Sequence, residues 1–504
     1  MTGGGDGKRR LVVIGNGMAG ARLVDDVLVR GGSDFDVTVV GDERHGNYNR
    51  ILLSSVLAGT HHPQDIFINP LEWYERNQIR LLAGVRAARI DRAARLVHSE
   101  AGHAVPYDAL VIATGSRPFV PPLDGLKGGD GRLKPGAFVF RTLDDCDRIA
   151  TWARRSRKAA VIGGGLLGLE AARGLLNLGP EVHVVHLMPH LMEVQLDGGA
   201  GAILARTLGD MGVHVHLEKG ATAVRGDPDV CGLSFKDGST LDCDMVVIAA
   251  GIQPNVALAR EAGLTVRRGI VVGDDLASPD DPAVFAVGEC AEHRGRVYGL
   301  VAPLWEQTAV LARRLTGRDP DATYPGSVVS TKLKVMGVEL AVMGEREPRD
   351  DDEVVTYAEP KRGVYKKLIV RAGRLAGAIL LGDGAAAPPV LQAFDRGSPL
   401  PAVRAEILFP GFGAEGPRSA ADLPDDAQVC NCNGVSKGRL VEAIRGGYRT
   451  LAALSGATRA GTGCGTCKGQ ITAILESVVG EAPEGGPALP PPLSGAGPSR
   501  AGLR

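Results

Sequence analysis

Leu11-Val12-Val13-Ile14-Gly15-Asn16-Gly17-Met18-Ala19-Gly20 decides the fold. The apolar run reads as a short buried strand. It releases into G-x-G-x-x-G, with a helix expected over 21–30 and a second strand over 37–40. In such a βαβ opening Gly15 permits the tight turn, Gly17 lets the backbone approach a pyrophosphate, and Gly20 lets helix and strand pack closely. The helix N-terminus adds amides and the positive end of its dipole. One such fingerprint is weak, but the pattern returns. Strand 159–162 leads into Gly163-Gly164-Gly165-Leu166-Leu167-Gly168, then helix 169–178 and strand 182–185. Gly163, Gly165 and Gly168 repeat the three jobs. Two units in strand–turn–helix context predict an α/β chain with two Rossmann-like dinucleotide-binding domains.

Other strands end in the same manner. Strand 110–113 releases into Thr114-Gly115, strand 245–249 into Gly251, and strand 284–287 into Gly288-Glu289. Open α/β sheets bind ligands at such ends. Just past the second strand of the first unit, Asp42 or Glu43 can hold a ribose diol. In the second unit the comparable position is His186, not an acid. An acid there would bond a 2′-hydroxyl and repel a 2′-phosphate; histidine does neither firmly. NADH is preferred and NADPH stays open. Glu170, directly after the second fingerprint, is a candidate for positioning a nicotinamide, or an ordinary first-turn acid.

Four cysteines lie near the C-terminus: Cys430, Cys432, Cys464 and Cys467, spaced C-x-C, 31 residues, C-x2-C. Two close thiolate pairs close a tetrahedral cage around a metal centre, either zinc or [2Fe–2S]. Ser436 is expected to cap a helix over 437–445 stopped by Gly446-Gly447, and a second helix is expected over 469–479. Between Cys430 and Gln470, six Lys/Arg (Lys437, Arg439, Arg445, Arg449, Arg459, Lys468) face one acid, Glu442. That surplus either offsets a cluster's charge or docks an acidic partner.

Alternating strands from 324 to 381 suggest a small α+β domain. The expected domains are 9–125 with 245–316, an inserted 126–244, 323–400, a linker 411–427, the cysteine module 428–480, and a Pro/Gly-rich tail 481–504 expected to be disordered. The 504 residues carry a formal net charge of −1, which argues against nucleic-acid or membrane-surface binding. No run of 18 apolar residues suggests a membrane span. The first ten residues lack a signal-peptide core. Cys146, Cys231, Cys243 and Cys290 are scattered, so a reducing, cytoplasmic compartment is expected.

The two fingerprints, Ala113-Thr114-Gly115 and Gly288-Glu289 resemble the two-dinucleotide-domain flavoproteins over roughly 9–316, a family that includes ferredoxin, rubredoxin and glutathione reductases. The resemblance implies FAD at the first site and NAD(P)H on the inserted domain. It also implies that Glu289, in place of the family's aspartate, contacts the flavin ribityl chain from one methylene further out. Asn47-Tyr48-Asn49-Arg50, Gly288-Glu289-Cys290-Ala291-Glu292-His293-Arg294-Gly295 and Val301-Ala302-Pro303-Leu304-Trp305-Glu306-Gln307 are similar to NAD(P)H-dependent assimilatory nitrite reductase large subunits and assimilatory nitrate reductase electron-transfer subunits. On that resemblance Arg50 lies near the FAD pyrophosphate, rather than being a surface arginine. The helix near Pro303 then points its N-terminus at the flavin ring. The cysteine spacing resembles the bacterioferritin-associated ferredoxin-like [2Fe–2S] domain. In a flavoprotein a cluster is favoured over zinc, which has no redox chemistry. The segment 324–381 resembles the small C-terminal domain of rubredoxin-reductase-like flavoproteins, read as a packing or dimerisation module, so a homodimer is one expectation.

No cysteine precedes Cys146, and Ser54 and Ser55 stand where peroxide- and water-forming relatives use a cysteine. Electrons must leave the flavin otherwise. The expected activity is electron transfer from NAD(P)H through FAD to [2Fe–2S] and on to a partner reductase for nitrate or nitrite. Nothing after Cys467 resembles a sirohaem module, so another chain is expected to carry it. The rivals are a ferredoxin or rubredoxin reductase with a built-in ferredoxin, and a non-enzymatic redox or iron sensor.

Overall fold

The computed structural model describes residues 7–327, 330–335, 337–409, 420–430, 433–463 and 465–480. Two units form, within residues 1–412 and 413–504. In the first, the apolar strand Arg9–Ile14 is fully buried over its last four residues and pairs in parallel with Phe35–Gly41 and Ala109–Ile112. The six-stranded sheet runs Ala277–Ser278, Asp281–Ala286, Ala109–Ile112, Arg9–Ile14, Phe35–Gly41, Arg80–Ala83. Buried strands read as apolar runs, which is why those at 11–14, 37–40, 110–113 and 284–287 were legible; the edge strands Arg80–Ala83 and Ala277–Ser278 were not anticipated.

A second sheet orders Ala137–Val139, Met245–Ile248, Lys158–Ile162, Glu181–Val185, Val213–His216, all parallel. Its strand Met245–Ile248 belongs to the inserted domain's sheet, although the sequence boundary assigned everything from 245 to the first domain. The helices after the two fingerprints span Met18–Gly31 and Leu166–Leu176. Both begin earlier than expected, because the last residues of each fingerprint are already the first helical turn.

The small domain is a five-stranded antiparallel sheet ordered Ser330–Val335, Val338–Gly344, Arg374–Leu381, Val364–Arg371, Glu353–Glu359, backed by the helix Ala387–Arg396. In the second unit, the short strand Gln428–Cys430 and the helices Lys437–Arg445, Leu451–Thr458 and Lys468–Gly480 enclose a core of Val435, Leu440, Leu454 and Ile471. The tail 481–504 and most of the expected linker, with Cys432 and Cys464, lie outside the described residues. No helix among the described residues is long and apolar enough to cross a membrane.

Candidate nucleotide and cluster sites

Both glycine turns of the first unit open on one cavity of about 1710 Å³. Ordinary small-ligand pockets hold roughly 300–1,000 Å³. The two turns are built alike. Gly15 has φ +114°, and a Cβ there would sit 2.2 Å from the Ala113 carbonyl oxygen; Gly163 has φ +124°, with the same 2.2 Å to Ala249. Only glycine lets strand end and turn approach so closely. Gly20 and Gly168 lie behind the turns, packed on the Gly15 and Gly163 carbonyls, and do not line the cavity.

Arg50 stands over the first turn, its Nε 3.9 Å from where a Cβ on Gly17 would be. Its guanidinium stacks on the Tyr48 ring at 4.9 Å, ion-pairs with Glu43, and donates to the Arg141 carbonyl at 3.1 Å. The Tyr48 hydroxyl also donates to Glu43, at 2.5 Å. A cation held rigidly over a glycine turn, itself on the cavity wall, fits a pyrophosphate. The surface-arginine alternative does not hold. Asp42 and Glu43 separate: Glu43 is fixed in this network, while Asp42 is exposed and pairs loosely with Arg86 at 3.7 Å. Thr114 and Gly115 form the wall beside Gly15, with the Thr114 hydroxyl donating to the Asn255 carbonyl at 2.7 Å.

Glu289 is not a lone carboxylate. Arg141 and the Ser116 hydroxyl each donate to its Oε2 at 2.5 Å, and Arg141 reaches Ser116 Oγ at 2.9 Å. All three line the cavity. The Gly288 N–H donates to the buried Gln307 side chain at 2.8 Å, which ties the helix Val301–Leu315 to this turn. That helix begins at Val301, and Gly299, Leu300, Val301 and Leu304 face the cavity; Pro303 is buried in the first turn and does not. Pro303 therefore offers no direct contact there, and the helix end itself is the contributor.

At the second turn Glu170 and Gly251 line the cavity. The helix starts at Leu166, so Glu170 lies in its second turn and the first-turn-acid explanation fails. Burial pushes its carboxyl up to about 8. His186 is buried and faces inward: its Nδ1 accepts from the Gly164 N–H at 3.0 Å, and its Nε2 lies 3.0 Å from the Glu193 carboxylate. Sequence reasoning missed Glu193, which reaches the site from a loop seven residues beyond His186. Ser116 and Arg141 were missed too, since neither belongs to a spaced motif.

The buried thiols of the first unit suit no redox role. Burial raises Cys146 to about 12 and raises Cys290, which donates to the Ile112 and Val287 carbonyls. A thiol that stays protonated is not a nucleophile.

The second unit differs. Cys430 ends its strand and Cys467 directly precedes the helix Lys468–Gly480, its carbonyl accepting the Ile471 N–H at 2.9 Å. Both are buried. The Cys467 thiol pulls Cys430 below the ordinary thiol range; burial opposes this, and the Gly461 and Asn433 N–H groups reinforce it. Converging thiols, thiolate character and N–H donors aimed at sulfur fit a thiolate-held cluster. Ser436 caps the helix Lys437–Arg445 as expected, accepting the Arg439 N–H at 3.4 Å. Lys437 leaves the basic set: its ammonium is turned onto the Ala421 and Leu423 carbonyls.

Three family models match the chain. One described as pyridine nucleotide-disulphide oxidoreductase matches residues 9–310, one described as the rubredoxin NAD+ reductase C-terminal domain matches 330–398, and one described as a BFD-like [2Fe-2S] binding domain matches 428–477. The chain is 42% identical over 476 residues to nitrite reductase [NAD(P)H] of Bacillus subtilis (strain 168), covering 94% of this chain and 58% of that protein. It is 38% identical over 469 residues to the assimilatory nitrate reductase electron transfer subunit of the same strain, covering 93% and 59%. This chain thus spans less than two thirds of the length of either. Among solved structures, the ferredoxin reductase for the CYP199A2 system from Rhodopseudomonas palustris matches with a TM-score of 0.71 at 26% identity, covering 81% of this chain and 98% of that one.

Proposed function

This chain belongs to the pyridine nucleotide-disulphide oxidoreductase family, and on that footing we propose that it carries electrons from NADH to a partner reductase of nitrate or nitrite assimilation. It is an NAD(P)H-dependent oxidoreductase whose cofactors are FAD, NAD(P)H and a [2Fe–2S] cluster. When bound, FAD accepts a hydride and releases electrons singly, which suits a one-electron cluster.

The observation that carries the reading is the shared cavity: Gly15–Gly17 and Gly163–Gly165 face one space. Hydride transfer needs alignment more than acid–base groups. Arg50 and the helix Met18–Gly31 would neutralise the FAD pyrophosphate, with Glu43 fixing Arg50. The N-terminus of the helix Val301–Leu315 would favour negative charge on the ring system beside it. Arg141 and Ser116 would hold Glu289 for the ribityl hydroxyls. Glu170, neutral at pH 7, would offer the nicotinamide a hydrogen bond without a charge. With the buried thiols of the first unit inert, Cys430, Cys432, Cys464 and Cys467 would hold the cluster that gives electrons their exit.

The assignment to nitrate or nitrite rests on the two Bacillus relatives. A small redox carrier as acceptor is the second reading, favoured by the rubredoxin-reductase-like small domain. We place the protein in the cytoplasm, where cluster thiolates stay reduced, with a catalytic subunit as its partner and the small domain as a packing or dimerisation module.

Cys430→Ala tests the route. It should abolish NADH-driven reduction of a nitrate or nitrite reductase partner while sparing NADH oxidation with an artificial acceptor that takes electrons from FAD. Undiminished partner reduction would show that the cluster is not on the path. Rapid reduction of a ferredoxin or rubredoxin, and none of either reductase, would decide for the carrier.

A further inference from the structure

We propose that Glu193, positioned by His186, reads the adenosine ribose of the nicotinamide nucleotide and makes this protein select NADH over NADPH. The inference rests on reading the second glycine turn as the nicotinamide nucleotide site.

The strand Glu181–Val185 ends at a histidine where an acid would ordinarily read the 2′-hydroxyl. His186 cannot do that work itself. Its side chain is only 8% exposed, and both ring nitrogens are engaged. The Gly164 N–H is an obligate donor, so Nδ1 is the acceptor and Nε2 carries the proton of the neutral ring. That proton points to Glu193 Oε2, 3.0 Å away. The ring packs so closely on the glycine turn that a Cβ on Gly164 would meet His186 Cγ at 2.7 Å. The turn therefore fixes the ring, and the ring fixes the carboxylate.

Glu193 lies on the cavity wall with its side chain 30% exposed, and Oε1 has no protein partner among the described residues. An ionised carboxylate is acceptor-only, so it satisfies a ribose diol's two donors and repels a 2′-phosphate. The loop is anchored by Arg346, whose guanidinium donates to the Glu193 carbonyl. Lys219, also on the cavity wall, is a cation that could welcome a phosphate. Its main chain bonds the His186 carbonyl at 2.9 Å, but its ammonium is paired with Asp237 and bonds Ser239 at 2.9 Å. Leu187 and Val194, next in sequence to His186 and Glu193, stay 69% and 70% exposed beside the cavity and offer an apolar bed for adenine. The acid at this site thus comes from the loop, and a histidine stands at the strand end.

The test uses the holoprotein and two probes, ADP-ribose and 2′-phospho-ADP-ribose, by calorimetry, alongside kcat/KM for NADH and NADPH. The wild type should favour the non-phosphorylated probe and NADH. Glu193→Gln should lower both preferences about ten- to a hundred-fold, the range of one charged hydrogen bond. Glu193→Lys should lower them further or reverse them. His186→Ala, which frees the carboxylate, should lower the preference, and His186→Gln, which can still donate, should restore part of it. Unchanged FAD absorbance confirms that each variant is folded. Wild-type indifference between the probes, or a Glu193→Gln variant with undiminished preference, would overturn the inference while leaving NADH-driven electron transfer standing. Failure of both nucleotides to bind would overturn the inference and the reading of the second turn together.

Discussion

Glu170 illustrates what burial does to a single group beside a cofactor cavity. With its carboxyl raised to about 8, it is neutral at pH 7. The sign of the stability effect follows from proton binding. Below the ordinary value of 4.5 the group is protonated folded and unfolded, and burial costs nothing. Between 4.5 and about 8 the unfolded chain ionises while the folded chain must stay neutral, so stability falls as pH rises through that window. Glu170→Gln should flatten this fall, measured as Tm against pH, because an amide has no proton to lose. It should also remove any inflection near pH 8 from the rate of NADH-driven flavin bleaching. An unchanged pH dependence of Tm would mean that the carboxyl is not desolvated in the holoprotein.

Among the elements, the parallel strands that flank the two fingerprints and the helices that follow the glycine turns were legible because each is an apolar run punctuated by glycine. The misses have physical causes. The edge strand Glu353–Glu359 has no buried residue to betray it and follows an acidic run. The helix Leu451–Thr458 is built of small residues without a polar face, so periodicity does not reveal it. At the nucleotide sites, residues inside spaced motifs were readable, whereas Glu193, Ser116 and Arg141 arrive through tertiary contacts that no spacing records. The Ser436 cap was readable, and Thr450 makes the matching cap on the missed helix, accepting the Ala453 N–H at 3.1 Å. Thr450→Ala should destabilise the cluster unit by about 1 kcal/mol, read from loss of cluster absorbance in denaturant. A midpoint equal to the wild type's would show that this helix end is satisfied by other groups.

For the whole molecule, the division of labour follows from chemistry. The first unit holds two nucleotide turns on one cavity, with its buried thiols silenced; the second presents Cys430, whose surroundings favour the thiolate. A two-electron donor entering one unit and a one-electron carrier in the other make a relay the economical reading of the chain. The most direct test is an anaerobic NADH titration of the purified protein, with flavin absorbance and low-temperature EPR followed together. Flavin bleaching accompanied by a one-electron [2Fe–2S] signal is the predicted result. Bleaching with no cluster signal, and zinc in the metal analysis, would contradict the relay and leave a flavoprotein reductase with a structural metal domain.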